Sequence, residues 1–260
     1  MALIIAPTLA AAQANVPAAQ RYQACTRLAA EDATTALDVA SRWRDEGGGV
    51  AAQHCIALAL SALERFEEAA RMLETALEHI RAGRGVNAMG MTINRDLVAR
   101  LHAQAGHAWL LAERPINAYQ AFSAAIAELP PRDPATLDYA IDRARASAAS
   151  GDYDAAVADL DEALLQAPER GEIYLFRATA RRHLGAIEPA LQDANDAVRL
   201  LGSAEAYLER GNLRMLAGDE AAARADWQAA TNADAKGPAG QAARQNLQRL
   251  EDMLAQENAP

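Results

Sequence analysis

The sequence holds one lysine, three tryptophans, three phenylalanines and two cysteines among 260 residues. Each scarcity excludes something. Aromatics make up 5% of the chain, and with few β-branched residues this argues against a β-sandwich or barrel, whose strands pack such side chains. Past the amino end, no segment reaches the ~20 consecutive apolar residues that a membrane-spanning helix needs. Basic residues number 25 against 35 acidic ones, a net charge of −10. No basic tract is available to neutralise phosphates, so neither nucleic acid nor an anionic membrane surface is an expected partner. Cys25 and Cys55 offer no CxxC pair and no zinc-like spacing.

What is abundant is alanine, roughly a quarter of the chain, with leucine, glutamate and arginine behind it. These are the good helix formers, and an all-α fold is expected. Residues 1–14, MALIIAPTLAAAQA, are uncharged and close on Ala12-Gln13-Ala14, the small-x-small form that signal peptidase accepts. Residues 1–16 therefore read as the remnant of a signal peptide, implying export and a periplasmic location, or as an alanine-rich leader on a cytoplasmic protein. In an exported protein Cys25 and Cys55 would form one disulfide; in the cytosol they would stay buried thiols.

The chain also has a period. Gly151, Gly185 and Gly218 follow one another at 34 and 33 residues, each between two apolar-periodic stretches. Ala140, Tyr174 and Tyr207 share a register before the glycine, as do the small residues Ala144, Ala178 and Gly211. After it come Ala156, Ala190 and Ala223, then Leu160, Ala194 and Trp227, then Ala163, Ala197 and Ala230. The frame extends back through Gly106, Trp109, Ala118, Phe122 and Ala125, through Ala57, Leu60, Ala69, Leu73 and Ala76, and to a degenerate copy with Ala24, Ala36, Ala40 and Trp43. Repeat starts are expected near 17, 50, 99, 137, 171 and 204.

This skeleton resembles the tetratricopeptide repeat over residues 17–235. The resemblance implies an α-solenoid, a right-handed superhelix of about six helix-turn-helix units. Its helices of about 14 residues are too short to stand alone and so depend on their neighbours. Residues 236–260 read as a capping helix and tail, with Ala242, Leu247, Leu250 and Leu254 toward the stack. The segment at about 80–94 reads as an extended second helix followed by a loop, either a mobile connection or a partner-contacting loop displaying Met89 and Met91. Its glycines do not make a phosphate loop, since no strand precedes them and no lysine-serine pair follows.

Arg143, Arg177 and Arg210 share one position in the first helices of the last three repeats, and Asp159, Asp193 and Asp226 share another, each sixteen residues later. The first three repeats lack both members. A bidentate bridge between helices would leave that pattern, and so would two independent polar stripes copied by duplication.

The resemblance further implies a concave groove lined by the first helices, with His54, Leu58, Ala103, His107, Ile141, Arg145, Leu175, Thr179, Arg182, Leu208, Asn212 and Met215 as candidates. Arg145, Arg182 and Asn212 are suited to a carboxylate or to peptide carbonyls. The lysine-based carboxylate clamp of some such repeats is not expected, because Lys236 is the only lysine. The histidines lack the i, i+4 spacing of a zinc site, and the titratable groups are scattered rather than convergent. The expected function is a non-enzymatic protein- or peptide-binding adaptor of the bacterial envelope, without cofactor or metal. The alternative is a scaffold that self-associates through its ends or the Met89–Met91 loop.

Overall fold

The structure, a computed structural model, describes residues 17–84, 93–130 and 132–257. The apolar stretch at 1–14 and the Met89–Met91 segment lie outside them. Among the described residues all regular structure is helical: α1 Ala18–Glu31, α2 Ala33–Asp45, α3 Gly49–Ala62, α4 Phe66–Arg81, α5 Arg95–Leu111, α6 Pro115–Glu128, α7 Pro134–Ala149, α8 Tyr153–Gln166, α9 Gly171–His183, α10 Ile187–Leu201, α11 Ala204–Leu216, α12 Glu220–Ala233 and α13 Pro238–Glu257. No described helix is long and apolar enough to cross a membrane. The chain divides into two compact units, residues 1–139 and 140–260, with the boundary inside α7.

The turn inside five of the six helix pairs, all but the first, repeats one hydrogen-bonding device. In α5 the amide of Arg114 donates to the Trp109 carbonyl, and in α9 the amide of Ala186 donates to the Arg181 carbonyl, both at 2.9 Å. This six-to-one closure satisfies carbonyls left over at the helix end and requires a left-handed residue just before the donor. That residue is Gly185 at φ +75°, but Glu64 and Glu113 at φ +58° occupy the equivalent place in the earlier pairs. A glycine periodicity therefore marks the later turns and misses the earlier ones.

Pairs begin at Ala18, Gly49, Arg95, Pro134, Gly171 and Ala204, against expected starts of 17, 50, 99, 137, 171 and 204. The third and fourth start early because capping, not the consensus frame, sets a helix end. Asn94 accepts the Leu97 amide at 2.9 Å, and Asp133 accepts the Ala135 amide at 2.9 Å. Helix α4 runs 16 residues and α5 runs 17, which takes up part of the long interval between repeats two and three.

Small residues let the two helices of a pair approach, and in the third and sixth pairs a large ring fills the gap. A Cβ placed on Gly106 would lie 2.8 Å from the Phe122 ring, and one on Gly211 would lie 2.6 Å from Trp227. In the second unit, α13 closes the apolar seam. Ala243 and Leu250 are buried against Ala223, Trp227 and Ala230, with Leu247 and Leu254 packed beside them. Ala243 takes the buried place expected of Ala242, which is half-exposed.

Candidate functional site

The second unit holds the Arg–Asp positions as three identical side-on bridges. Arg143 Nε and Nη2 donate to Asp159 at 2.8 and 2.7 Å. Arg177 does the same to Asp193 at 2.9 and 2.6 Å, and Arg210 to Asp226 at 2.9 and 2.7 Å. Asp193 and Asp226 are each 3% exposed, and burial at that depth demands full pairing. A second arginine one turn on supplies more: Arg181 Nη1 reaches Asp193 and Arg214 Nη1 reaches Asp226, both at 2.8 Å. Arg177 and Arg210 also sit over the Tyr174 and Tyr207 rings, 5.8 and 5.7 Å from their centroids. At the place corresponding to the second arginine, the first bridge has Ser147, whose buried Oγ has no partner.

These bridges fix the first helices α7, α9 and α11, and between those helices lies an apolar cavity of about 400 Å³. Arg145, Leu175, Thr179 and Leu208, all expected in a groove, line it together with Phe176, Glu205 and Glu209, which the sequence reading did not single out. A second cavity of about 300 Å³ brings Arg182, Asn212 and Met215 against Asn246, Arg249 and Met253 of the capping helix. The glutamates were legible only as a pair one turn apart on α11; nothing in the repeat consensus marks them.

Several groove expectations do not survive packing. Ile141 is 4% exposed and belongs to the core. Arg182 Nε donates to Glu209 at 2.7 Å, Arg145 Nη1 donates to Asp142 at 2.8 Å, and Asn212 Oδ1 accepts from both Trp227 Nε1 and Asn246 Nδ2, at 3.1 and 2.9 Å. Both arginines thus already face a carboxylate of the protein, and the Asn212 oxygen is taken by two donors. Thr179 Oγ1 donates back to the Leu175 carbonyl at 3.1 Å.

Among the described residues of the first unit no such Arg–Asp ladder occurs, and histidines carry its buried polar links. His54, expected in a groove, is 7% exposed. Tyr22 Oη donates to its Nδ1 at 2.5 Å, and its Nε2–H donates to Gln104 Oε1 at 2.8 Å. This chain joins the first helices α1, α3 and α5. Burial drives the His54 pKa below the ordinary histidine value, against a smaller opposing effect of the Gln104 bond. His79 Nδ1 donates to Gln53 Oε1 at 3.1 Å, and Arg81 Nη2 donates to His102 Nε2 at 3.2 Å. Burial first, and the Arg81 charge second, also lower the His102 pKa. Ala103 is buried, Leu58 packs half-buried against a core of Ala29, Ala36 and Ala59, and His107 sits exposed, edge-on to Phe122 at 5.0 Å. Cys25 and Cys55 stand in disulfide geometry with Cα atoms 6.1 Å apart. Among the described residues no cluster of three metal-ligating side chains occurs.

Comparison with known proteins bears on this geometry. No protein-family model matches the chain. Tetratricopeptide repeat protein 36 of Xenopus tropicalis is 38% identical over 89 residues, 32% of this chain and 44% of that protein. The chain thus matches less than half the length of this curated relative. The solved structure titled "Functional Characterization of Pseudomonas Aeruginosa pilF" superposes with a TM-score of 0.59 over 88% of this chain and 99% of that one, at 14% identity. YrrB, titled "a TPR protein with an unusual peptide-binding site", superposes with a TM-score of 0.52 over 79% of this chain and 96% of its own, also at 14% identity. The chain shares the tetratricopeptide-repeat fold of YrrB. That fold accounts for the spacing of the small residues within each unit.

Proposed function

We propose that the protein is a non-enzymatic module that holds a peptide segment of a partner protein against the first helices of its second unit. The observation that carries this reading is the cavity of about 400 Å³ between α7, α9 and α11, floored by Leu175, Phe176 and Leu208. Concave apolar sites with a few polar groups at the edge are the usual form of a binding site, and the bridges behind this one hold it open without a ligand. The fold shared with YrrB, whose title names a peptide-binding site, supports the same reading. We further propose that the chain works in an oxidising compartment, the bacterial envelope. The disulfide geometry of Cys25 and Cys55 supports it, because such bonds persist where thiols are not kept reduced.

The test is capture of partners from envelope extract of the source organism by the wild-type chain and by a Leu175→Asp/Leu208→Asp variant. The variant should keep wild-type helicity by circular dichroism, since neither position is fully buried. Loss of captured protein with the variant supports the groove, and equal recovery from both removes it as the binding face.

A further inference from the structure

We infer that the groove of the second unit selects a cationic partner segment, one presenting lysine or arginine beside an apolar side chain. The inference rests on reading this cavity as a peptide site and adds the chemistry of what enters it.

The argument is a charge count around the cavity. Glu205 and Glu209 stand one turn apart on α11 and both line it. Like charges at that spacing repel. One cation meets them: Arg182 Nε bonds Glu209 Oε1 at 2.7 Å. Glu209 Oε2 has no protein donor among the described residues, although the residue is 7% exposed, and Glu205 has no hydrogen bond or ion pair among them. The arginine across the cavity, Arg145, is taken by Asp142 at 2.8 Å and lies over the Phe176 ring at 5.5 Å. The site therefore has one carboxylate charge more than its cations balance, above an apolar floor. A lysine or arginine matches that arrangement, its stem along Leu175 and Leu208 and its head between Glu205 and the free oxygen of Glu209. Elsewhere the chain strengthens the preference, since its net charge is −10 and it draws cationic segments from a distance.

Two fluorescein-labelled hexapeptides test this: one of alternating serine, leucine and lysine, and a twin with glutamate for lysine, read by fluorescence anisotropy at low salt. The wild type should bind the lysine peptide about tenfold more tightly than its twin. Glu205→Lys lies on the surface and should leave the melting curve unchanged, yet weaken the lysine peptide about fivefold and favour the twin. Leu208→Asp should abolish binding of either. If the wild type binds both peptides alike, or the lysine preference survives Glu205→Lys, the cationic inference is overturned while the groove stands; if binding survives Leu208→Asp, the groove falls with it. If neither peptide binds the wild type, the inference and the peptide-site reading fall together.

Discussion

The two units fold the same helix-pair plan around opposite polar chemistries. In the second, charged bridges tie the two helices of each pair, with Asp193 and Asp226 each ion-paired to two arginines. In the first, the most deeply buried links are uncharged and run between successive pairs: Tyr22 to His54 to Gln104, and the Cys25–Cys55 contact, while its ion pairs, such as Arg21–Glu46, lie nearer the surface. The alanine-and-ring packing beneath is common to both, so backbone geometry does not dictate the polar seam. What the seam does dictate is the response to mutation, reductant and acid, and there the units should part company.

The largest expected difference lies in the ladder. Asp193→Ala leaves Arg177 and Arg181 to share Asp161, which stands 2.6 and 3.5 Å from them, and should lower stability by about 3 kcal/mol, the low end for a broken buried pair. Replacing Arg177 and Asp193 together by methionine and leucine should lower it less, because only Arg181 then loses a carboxylate, and it keeps Asp161 at 3.5 Å. Urea denaturation ranks the two, and the opposite order would mean that the bridges are inert stripes. The first unit should instead respond to reductant. A bond between Cys25 and Cys55 spans a separation of 30 residues, so Cys25→Ser/Cys55→Ser should cost about 2–4 kcal/mol. Hydrogen exchange should place that loss in α1 to α3 and leave α9 to α12 unchanged.

Acid sharpens the same contrast. His54 and His102 have lowered pKa values when folded, so below about pH 6.5 the unfolded chain holds more protons than the folded one. The stability they contribute is complete above that pH and is lost as pH falls through it toward the folded values. The urea midpoint followed through Trp43 and Trp109 in a Trp227→Phe background should drop between pH 7 and 5. A His54→Gln/His102→Gln background should flatten the drop, and an unchanged slope would rule the histidines out as its source.

Where the units agree, the effects should agree too. Gly106→Ala and Gly211→Ala each drive a methyl into a ring. Overpacking of about 1–3 kcal/mol is partly offset by about 1 kcal/mol of helix propensity, so both should destabilise by up to about 2 kcal/mol in thermal melts. The smallest effect is a gain. Glu113→Gly relieves a left-handed turn residue at φ +58° and should raise stability by about 0.5–1 kcal/mol.

Much of this could be read from the residue order, and the misses have physical causes. The helix pairs after Gly171 and Ala204 start where the glycine period puts them, because those turns use glycine. The starts at Arg95 and Pro134 were placed late because the consensus frame outweighed Asn94 and Asp133, which are legible capping residues. The shared spacing of Arg177 with Asp193 announced a bridge, but not the second arginine at 181, since a periodic column does not reveal a three-centre contact. His54 was misjudged because position on a first helix says nothing of what covers it, and here Tyr22 of the preceding pair does. Glu205 and Glu209 escaped notice for the opposite reason: an acidic pair on a helix looks like a solvated face until the cavity beside it is seen.

The most direct test of the groove is site-specific photo-cross-linking in the source organism, with benzoylphenylalanine in place of Leu208 or, as the control, of Leu165, which is 79% exposed on a second helix. Adducts to a partner protein from position 208 and none from 165 are the predicted result. Adducts from 165 with none from 208 would contradict it and place the working surface on the other side of the repeats.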